Sequence, residues 1–593
     1  MIFKLLLLIT IILGLYFLGN IFAQKLYRTT SLSNQYITAS ESIFIGIFLF
    51  GTFTFIFNFF YKINSFIFLY VAIIILILFL FQLSTYKIHT KHIKNIFIFT
   101  LISFPIILSM ESGYDAGLYH VTHQKFIREE KIIFGLSNFH NVLGYSSFYE
   151  YLSAPLWMGD NLENLANLQL IFFISLFLFI YETSKKGKRK SIYALLILFT
   201  IPFWLRYAPI KWGLVDFPFG VVFFLSVLTS IFILENNNKN ESKHLFSVLI
   251  FLNCLTFFLK PGGFVIGILT LFVIYILLKR NFYDVKTLIR LLVFPFSVVL
   301  FWLFRGFVNT SCLIYPFPFS CLNTKWGNVQ DAEFNWEITK DWGSLIFEII
   351  QKNINFSEVF LIFIIIIFLI LIFLIHNVIT KFTFNIDLNY FYVVLFILFI
   401  IELIVFNKST SFVRDQLTYE KILIEFIFFI SLVVAFYLIL HLFFNFRKID
   451  KNIINNNSFP LFFSLLVIFL WLNSAPIPRL GFSFIGSFFV SSLCLIKKEN
   501  FLLFNHKKNI TLVKIFIFIF IVNYSFFSDY KFKELNFLKI SLPIIKTQPR
   551  NSFGVKPVIG DQCWDILWCS PLEPYPVSMR LIKGYKFIIK KIK

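Results

Sequence analysis

Apolar runs about as long as a membrane crossing, roughly 20 residues at about 1.5 Å rise each, recur from one end of the chain to the other. They sit near 5–23, 42–60, 65–83, 94–110, 166–182, 191–206, 217–234, 245–259, 263–278, 291–308, 357–376, 389–407, 421–444, 459–473, 481–496 and 510–527. The pattern predicts an all-α fold, a polytopic helical bundle of about 14 to 16 transmembrane helices, two of the shorter runs being re-entrant at the lower count.

The polar breaks between runs differ in character. Short basic breaks hold Lys25 and Arg28, then Lys87, Lys91 and Lys94, then Lys185 to Lys190, Lys239 and Lys243, Lys279 to Arg290, Arg447 to Lys451, and Lys497 to Lys508. If every run spans, all of these fall on one side, which is the positive-inside arrangement. The opposite, outer side then receives 111–165, 207–216, 260–262, 309–356, 408–420, 474–480 and the tail from 528. The expected organisation is N-terminal spans (1–110), a first large outer loop (111–165), a bundle (166–308), an outer loop or lid (309–356), a second bundle (357–527) and an outer tail (528–593).

Within the first outer loop, residues 117–131 have the pattern of a short interfacial helix started after Gly113 and Gly117. His120, His123 and Gln124 stand at i, i+3 and i+4 and share one face, while Leu118, Val121 and Ile127 supply apolar contacts. A second amphipathic stretch, 145–157, ends in Pro155-Leu-Trp157 and predicts an aromatic anchor at the membrane surface.

Composition settles the class. Hydrophobic residues make up 58% of 593, and mean hydropathy is +0.81, outside the range of soluble domains. The 87 Phe accompany many Ile, Asn and Lys, a bias we attribute to an AT-rich coding sequence. A net charge of +22 invites a nucleic-acid reading, but the cations are dispersed among the breaks and form no patch, so the partner they imply is the lipid bilayer, with no nucleic acid. The six cysteines divide by place: Cys254 and Cys494 lie inside apolar runs, while Cys312/Cys321 and Cys563/Cys569 are close pairs in outer segments, where an oxidising compartment permits disulfides.

Charged residues beside hydrocarbon are the candidates for chemistry. Asp115 lies within about a turn of the outer end of the fourth run. Asp216 opens the seventh, where it serves either catalysis or metal binding, or a helix cap. Lys260, in Leu-Lys-Pro-Gly-Gly263, and Arg305, in Trp302-Leu-Phe-Arg-Gly-Phe307, are candidates to grip phosphate, as is Arg479 on its stiff Pro-Ile-Pro link. His120 and His123 are candidates for substrate contact. Trp326, Trp336 and Trp342, with Asp331, Glu333, Glu337 and Asp341, suit a lid.

A span, an acid at its outer end, two interfacial helices and a second span resemble the first outer loop of the C-type (GT-C) glycosyltransferases. The resemblance implies a polyprenyl-phosphate-linked sugar as substrate and a general base or metal ligand at the position of Asp115. A divalent metal ion is the alternative to a general base, and it is weakened because Glu111 and Asp115 stand four apart and not in Asp-x-Asp or Glu-x-Asp spacing. Five signatures, Tyr114-Asp-Ala-Gly-Leu-Tyr-His120, Gly135-Leu-Ser-Asn-Phe-His140, Arg305 with Leu313-Ile-Tyr-Pro-Phe-Pro318, Ala475-Pro-Ile-Pro-Arg479, and Gln562-Cys-Trp-Asp565 with Cys569 and Pro574-Tyr-Pro576, resemble an uncharacterised family of bacterial multi-spanning membrane proteins. Ile477 departs from it, standing where that family carries an acid. The expected function is transfer from a lipid-linked sugar at the outer face of a bacterial inner membrane during envelope glycan assembly. The alternatives are a carrier or flippase for a lipid-linked or anionic saccharide and a non-catalytic assembly component.

Overall fold

The structure is a computed structural model. It describes residues 2–29, 37–64, 90–110, 112–145, 147–157, 162, 164–207, 210–327, 329–338, 459–474, 478–492, 505–527, 545–549, 554–570 and 577–590. The runs predicted at 65–83, 357–376, 389–407 and 421–444 lie outside the described residues, as does most of the second predicted bundle.

The chain is mostly helical, and seven helices among the described residues are long and apolar enough to cross a membrane. In chain order the helices are α1 (Ile2–Thr29), α2 (Ala39–Phe60), α3 (Thr90–Ser103), α4 (Val121–Glu129), α5 (Phe148–Ser153), α6 (Leu165–Ser184), α7 (Lys188–Tyr207), α8 (Asp216–Glu235), α9 (Lys239–Leu259), α10 (Ile266–Lys279), α11 (Val285–Thr310), α12 (Phe459–Ser474), α13 (Pro478–Ser492) and α14 (His506–Phe527). Two compact units divide them: residues 1–182, 209–338 and 530–593 form the first, and 183–208 with 339–529 the second.

In the first unit α1 lies against α2 at backbone distance. A methyl group at Gly19 would fall within 1.8 Å of the Ser42 carbonyl, and one at Gly46 within 2.0 Å of that of Leu15. Glycine is what lets two spans approach so closely. α8 packs on α9, and α9 on α2, α10 and α11. Asn58, near the end of α2, bonds the Ile127 and Glu130 carbonyls of the first large loop, while Arg280, after α10, reaches the Leu234 and Asn236 carbonyls at the C-terminal end of α8. In the second unit α13 and α14 pack on α7 and α12 on α13; Asn509 bonds Ser191 at 2.9 Å.

The fold is not purely α. Two antiparallel hairpins stand in the tail, β1 (Thr547–Pro549) with β2 (Val555–Pro557), and β3 (Val577–Ile582) with β4 (Tyr585–Lys590). Lys583 and Gly584 both take positive φ, 49° and 79°, the turn geometry whose twist suits a two-residue hairpin. Strand β4 then joins the first large loop: Phe134 N–H donates to the Lys586 carbonyl and Ile588 N–H to that of Phe134, both at 2.9 Å, with the Phe134 and Phe587 rings stacked.

Candidate functional site

The site is built around α5. Ser147 and Glu150 form a reciprocal cap, the Ser147 hydroxyl accepting from the helix and Glu150 Oε2 accepting the Ser147 N–H at 2.5 Å. Six residues are too few to hold a helix on their own. Four consecutive side chains fix it instead, to α6, to α11 twice and to the turn that carries His120. Phe148 packs edge-on against Trp302 of α11. The Tyr149 hydroxyl accepts from Gln169 of α6 at 3.1 Å, and burial pushes that phenol above its ordinary pKa. Glu150 Oε1 lies 2.5 Å from Nδ1 of His120, and the Tyr151 hydroxyl accepts from Arg305 Nε at 3.0 Å.

Residues 116–120 form a π turn leading into α4, a rare geometry that recurs at functional sites. The turn and α4 present His120 and His123 to the same carboxylate, with His123 Nδ1 3.9 Å from Glu150 Oε2. Arg305 Nη2 is 3.3 Å from His123 Nε2. A guanidinium only donates, so Nε2 accepts and the His123 proton sits on Nδ1, toward Glu150. Burial, then the charge of Arg305, then His120 hold His123 well below the ordinary histidine pKa. A neutral imidazole therefore stands between a buried cation and a buried carboxylate. Arg305 also lies over the Tyr151 and Trp302 rings, 5.2 and 5.0 Å from their centroids.

Trp157 is no surface anchor. It is buried, its indole N–H donates to Gln124 at 2.8 Å, and Arg128 lies over its ring while bonding the Ala154 and Trp157 carbonyls. Amphipathic sequence predicts an apolar face but does not say whether lipid or protein covers it.

Asp115 stands at the start of the π turn, half-buried, and its side chain makes no helix cap. The tail closes over this turn. Val121 N–H, whose α-helical partner would be the Gly117 carbonyl, bonds Ala116 instead. The Gly117 carbonyl accepts from Cys563 N at 2.9 Å and Trp564 N at 2.8 Å, and the Thr122 hydroxyl donates to the Trp564 carbonyl at 2.6 Å. Gly117 thus does not start the helix, as its position in the sequence suggests; it gives room to the Trp564 ring, which a methyl group would approach within 2.5 Å. The Tyr114 hydroxyl bonds Asp561, and that bond, with burial and the charges of Asp561 and Asp115, raises its pKa to about 12. Cys563–Cys569 and Cys312–Cys321 are both disulfide-bonded.

Asp216 and Lys260 form an ion pair between the start of α8 and the end of α9. Asp216 makes no side-chain cap, because it is the first helical residue and not the one before it, and Lys260 is engaged with a carboxylate at the position proposed for phosphate. Arg479 lies on α13 in the second unit, and its side chain is outside the described residues, as are Trp342 and Asp341. The structure thus brings His120, His123 and Arg305 together and joins Asp216 to Lys260. Glu150 and Tyr151, which sequence reasoning did not select, link the first three; Ser147-x-x-Glu150 was the available signal.

A second buried cluster also escaped that reasoning. At the opposite ends of the spans, Glu182 of α6 accepts from the Ala39 and Ser40 N–H groups at 2.9 and 3.1 Å, and Glu41 lies 2.9 Å from His244 Nε2. These carboxylates sit at the N-terminus of α2, where the helix dipole favours negative charge. Among the described residues no group of three His, Cys, Asp or Glu is placed to hold a metal ion.

The fold defines a multi-pass membrane protein, and the buried polar cluster of its first large loop is the candidate site. The chain belongs to the family described as Domain of unknown function (DUF8201), whose model matches residues 1–401. No curated protein and no solved structure is significantly similar to it.

Proposed function

We propose that the protein is a glycosyltransferase of GT-C type, taking a sugar from a polyprenyl-phosphate carrier at the outer face of a bacterial inner membrane. The observation that carries this reading is that the π turn after Asp115 and the helix that follows it bring His120 and His123 to one carboxylate, Glu150, with Arg305 of a span against His123. Asp115 takes the proton of the acceptor hydroxyl as its oxygen attacks the anomeric carbon, a contribution of about 10² to 10⁴ in rate. The bond from that carbon to the phosphate oxygen breaks, and the phosphate leaves with the electron pair. Arg305, already bonded to Tyr151 and His123, acts on the growing phosphate charge through its field and not by direct grip. The Glu150 network holds the turn that carries the base.

Purified protein in lipid, supplied with a panel of polyprenyl-phosphate sugars and of hydroxyl-bearing acceptors, should release polyprenyl phosphate, and Asp115→Asn should slow release by about 10²-fold or more. Release that is equal in both proteins, or missing in both across the panel, would end the transferase reading. A second reading, a carrier for lipid-linked saccharide, draws on Glu41, Glu182 and His244, which put buried ionisable groups at the other ends of the spans. Transport of labelled lipid-linked saccharide that survives Asp115→Asn would favour it.

A further inference from the structure

We infer that the disulfide-closed loop after α11, residues 311–322, lies against the lipid at the membrane–water boundary. No charged residue occurs between Arg305 and Lys325. Apolar side chains on this loop nevertheless point away from the protein: Phe319 is 85% exposed, Leu322 59% and Leu313 46%. In water such a surface is costly; against acyl chains it is favoured.

The backbone supports the same placement. Placing non-helical chain beside lipid costs less the more of its N–H groups are satisfied within the protein. Here Leu313 N–H bonds the Ser320 carbonyl, Phe317 that of Ile314, Ser320 that of Phe317, Cys321 that of Pro318, and Leu322 that of Ser311. Side-chain hydroxyls take two more, Thr310 accepting from Cys312 N and Ser320 from Ile314 N. Pro316 and Pro318 have no N–H to satisfy.

The exposed face also continues the face of a span. Phe317 lies 5.9 Å from Phe264 and 5.6 Å from Phe319. Phe264 is itself half exposed and opens the candidate span that continues through the exposed Ile268 and Leu271 of α10. Apolar surface therefore runs unbroken from a lipid-facing helix onto the loop. The inner side of the loop packs on the first large loop, where Tyr315 lies against Tyr145 and its ring fills the space over Gly144. This placement does not depend on the transferase reading.

The test replaces Phe319 by the photoreactive p-benzoylphenylalanine in the full chain, held in phospholipid nanodiscs, with Leu271 as the lipid-facing reference and Lys583, in the β3–β4 turn, as the aqueous one. Lipid adducts at position 319 are expected at a yield similar to that at 271 and several-fold above that at 583. Yield at 319 no higher than at 583 while 271 reacts, or adducts at 319 to polypeptide in place of lipid, would overturn the placement.

Discussion

Arg305 and His123 are separated by 182 residues of sequence and joined by a 3.3 Å contact between Nη2 and Nε2. That contact requires His123 to remain neutral, since a protonated imidazole would turn a second donor toward a guanidinium. The wider network, His123 with Arg305, His120 and Glu150, is thus organised around one uncharged ring.

Because His123 binds its proton more weakly in the folded state than in the unfolded one, the unfolded chain gains protons first on acidification. The stability this provides is fully present above about pH 6.5 and is lost as pH falls below it toward the folded pKa. Thermal unfolding in detergent should therefore show a steeper fall in Tm over that window for wild type than for His123→Gln. Parallel curves for the two would rule out the neutral ring.

His120 and Glu150, 2.5 Å apart and buried, should not act independently. A double-mutant cycle with His120→Gln and Glu150→Gln is expected to depart from additivity by roughly 1 to 3 kcal/mol. Glutamine keeps an oxygen for the Ser147 N–H, so the helix cap is largely preserved and the measured coupling belongs to the pair. Additive losses in chemical denaturation would show that the short contact does not stabilise the loop.

Gly117→Ala places a methyl group against the Trp564 ring. Overpacking of this kind costs about 1 to 3 kcal/mol, and the tail has fewer contacts to lose than the bundle. The expected result is loosened docking of residues 561–570 with the spans intact, read as faster hydrogen exchange at 116–122 and faster proteolytic removal of the tail. Thr122→Val, which removes only the bond to the Trp564 carbonyl, should give a milder form of the same change. Unchanged exchange in both would mean that the tail does not hold the π turn.

These contacts mark how far the sequence is legible. Span length and periodicity make the bundle readable, and the i, i+3 spacing makes His120 and His123 readable as one face. The partner of that face is not, because Glu150 lies thirty residues on and meets His120 only through the packing of α5. Trp157 misleads for the related reason that a protein interior and a membrane surface favour the same amphipathic pattern. Strands β3 and β4 were missed because a search for long apolar runs passes over six-residue strands, although Lys583-Gly584 between two β-prone stretches is a hairpin signal. Glu41, Glu182 and His244 each look like isolated polar residues in or beside apolar runs, and only the fold shows that they meet.

Asp216 and Lys260 pose the sharpest choice between structure and chemistry at the site. Their side chains are 6% and 24% exposed and joined as an ion pair, so removing either partner leaves a charge poorly solvated. Lys260→Met alone should cost about 3 kcal/mol, the lower range for breaking a buried pair, and Asp216→Asn a comparable amount. Lys260→Met with Asp216→Leu leaves no orphan charge and should recover most of that loss. If the pair serves only to join α8 to α9, the double variant regains both stability and the release of polyprenyl phosphate. If Lys260 leaves Asp216 to meet a phosphate during turnover, the double variant regains stability but not release. Measuring Tm and release on the same preparation separates the two outcomes, because only a role in substrate binding or transfer leaves a well-folded protein inactive.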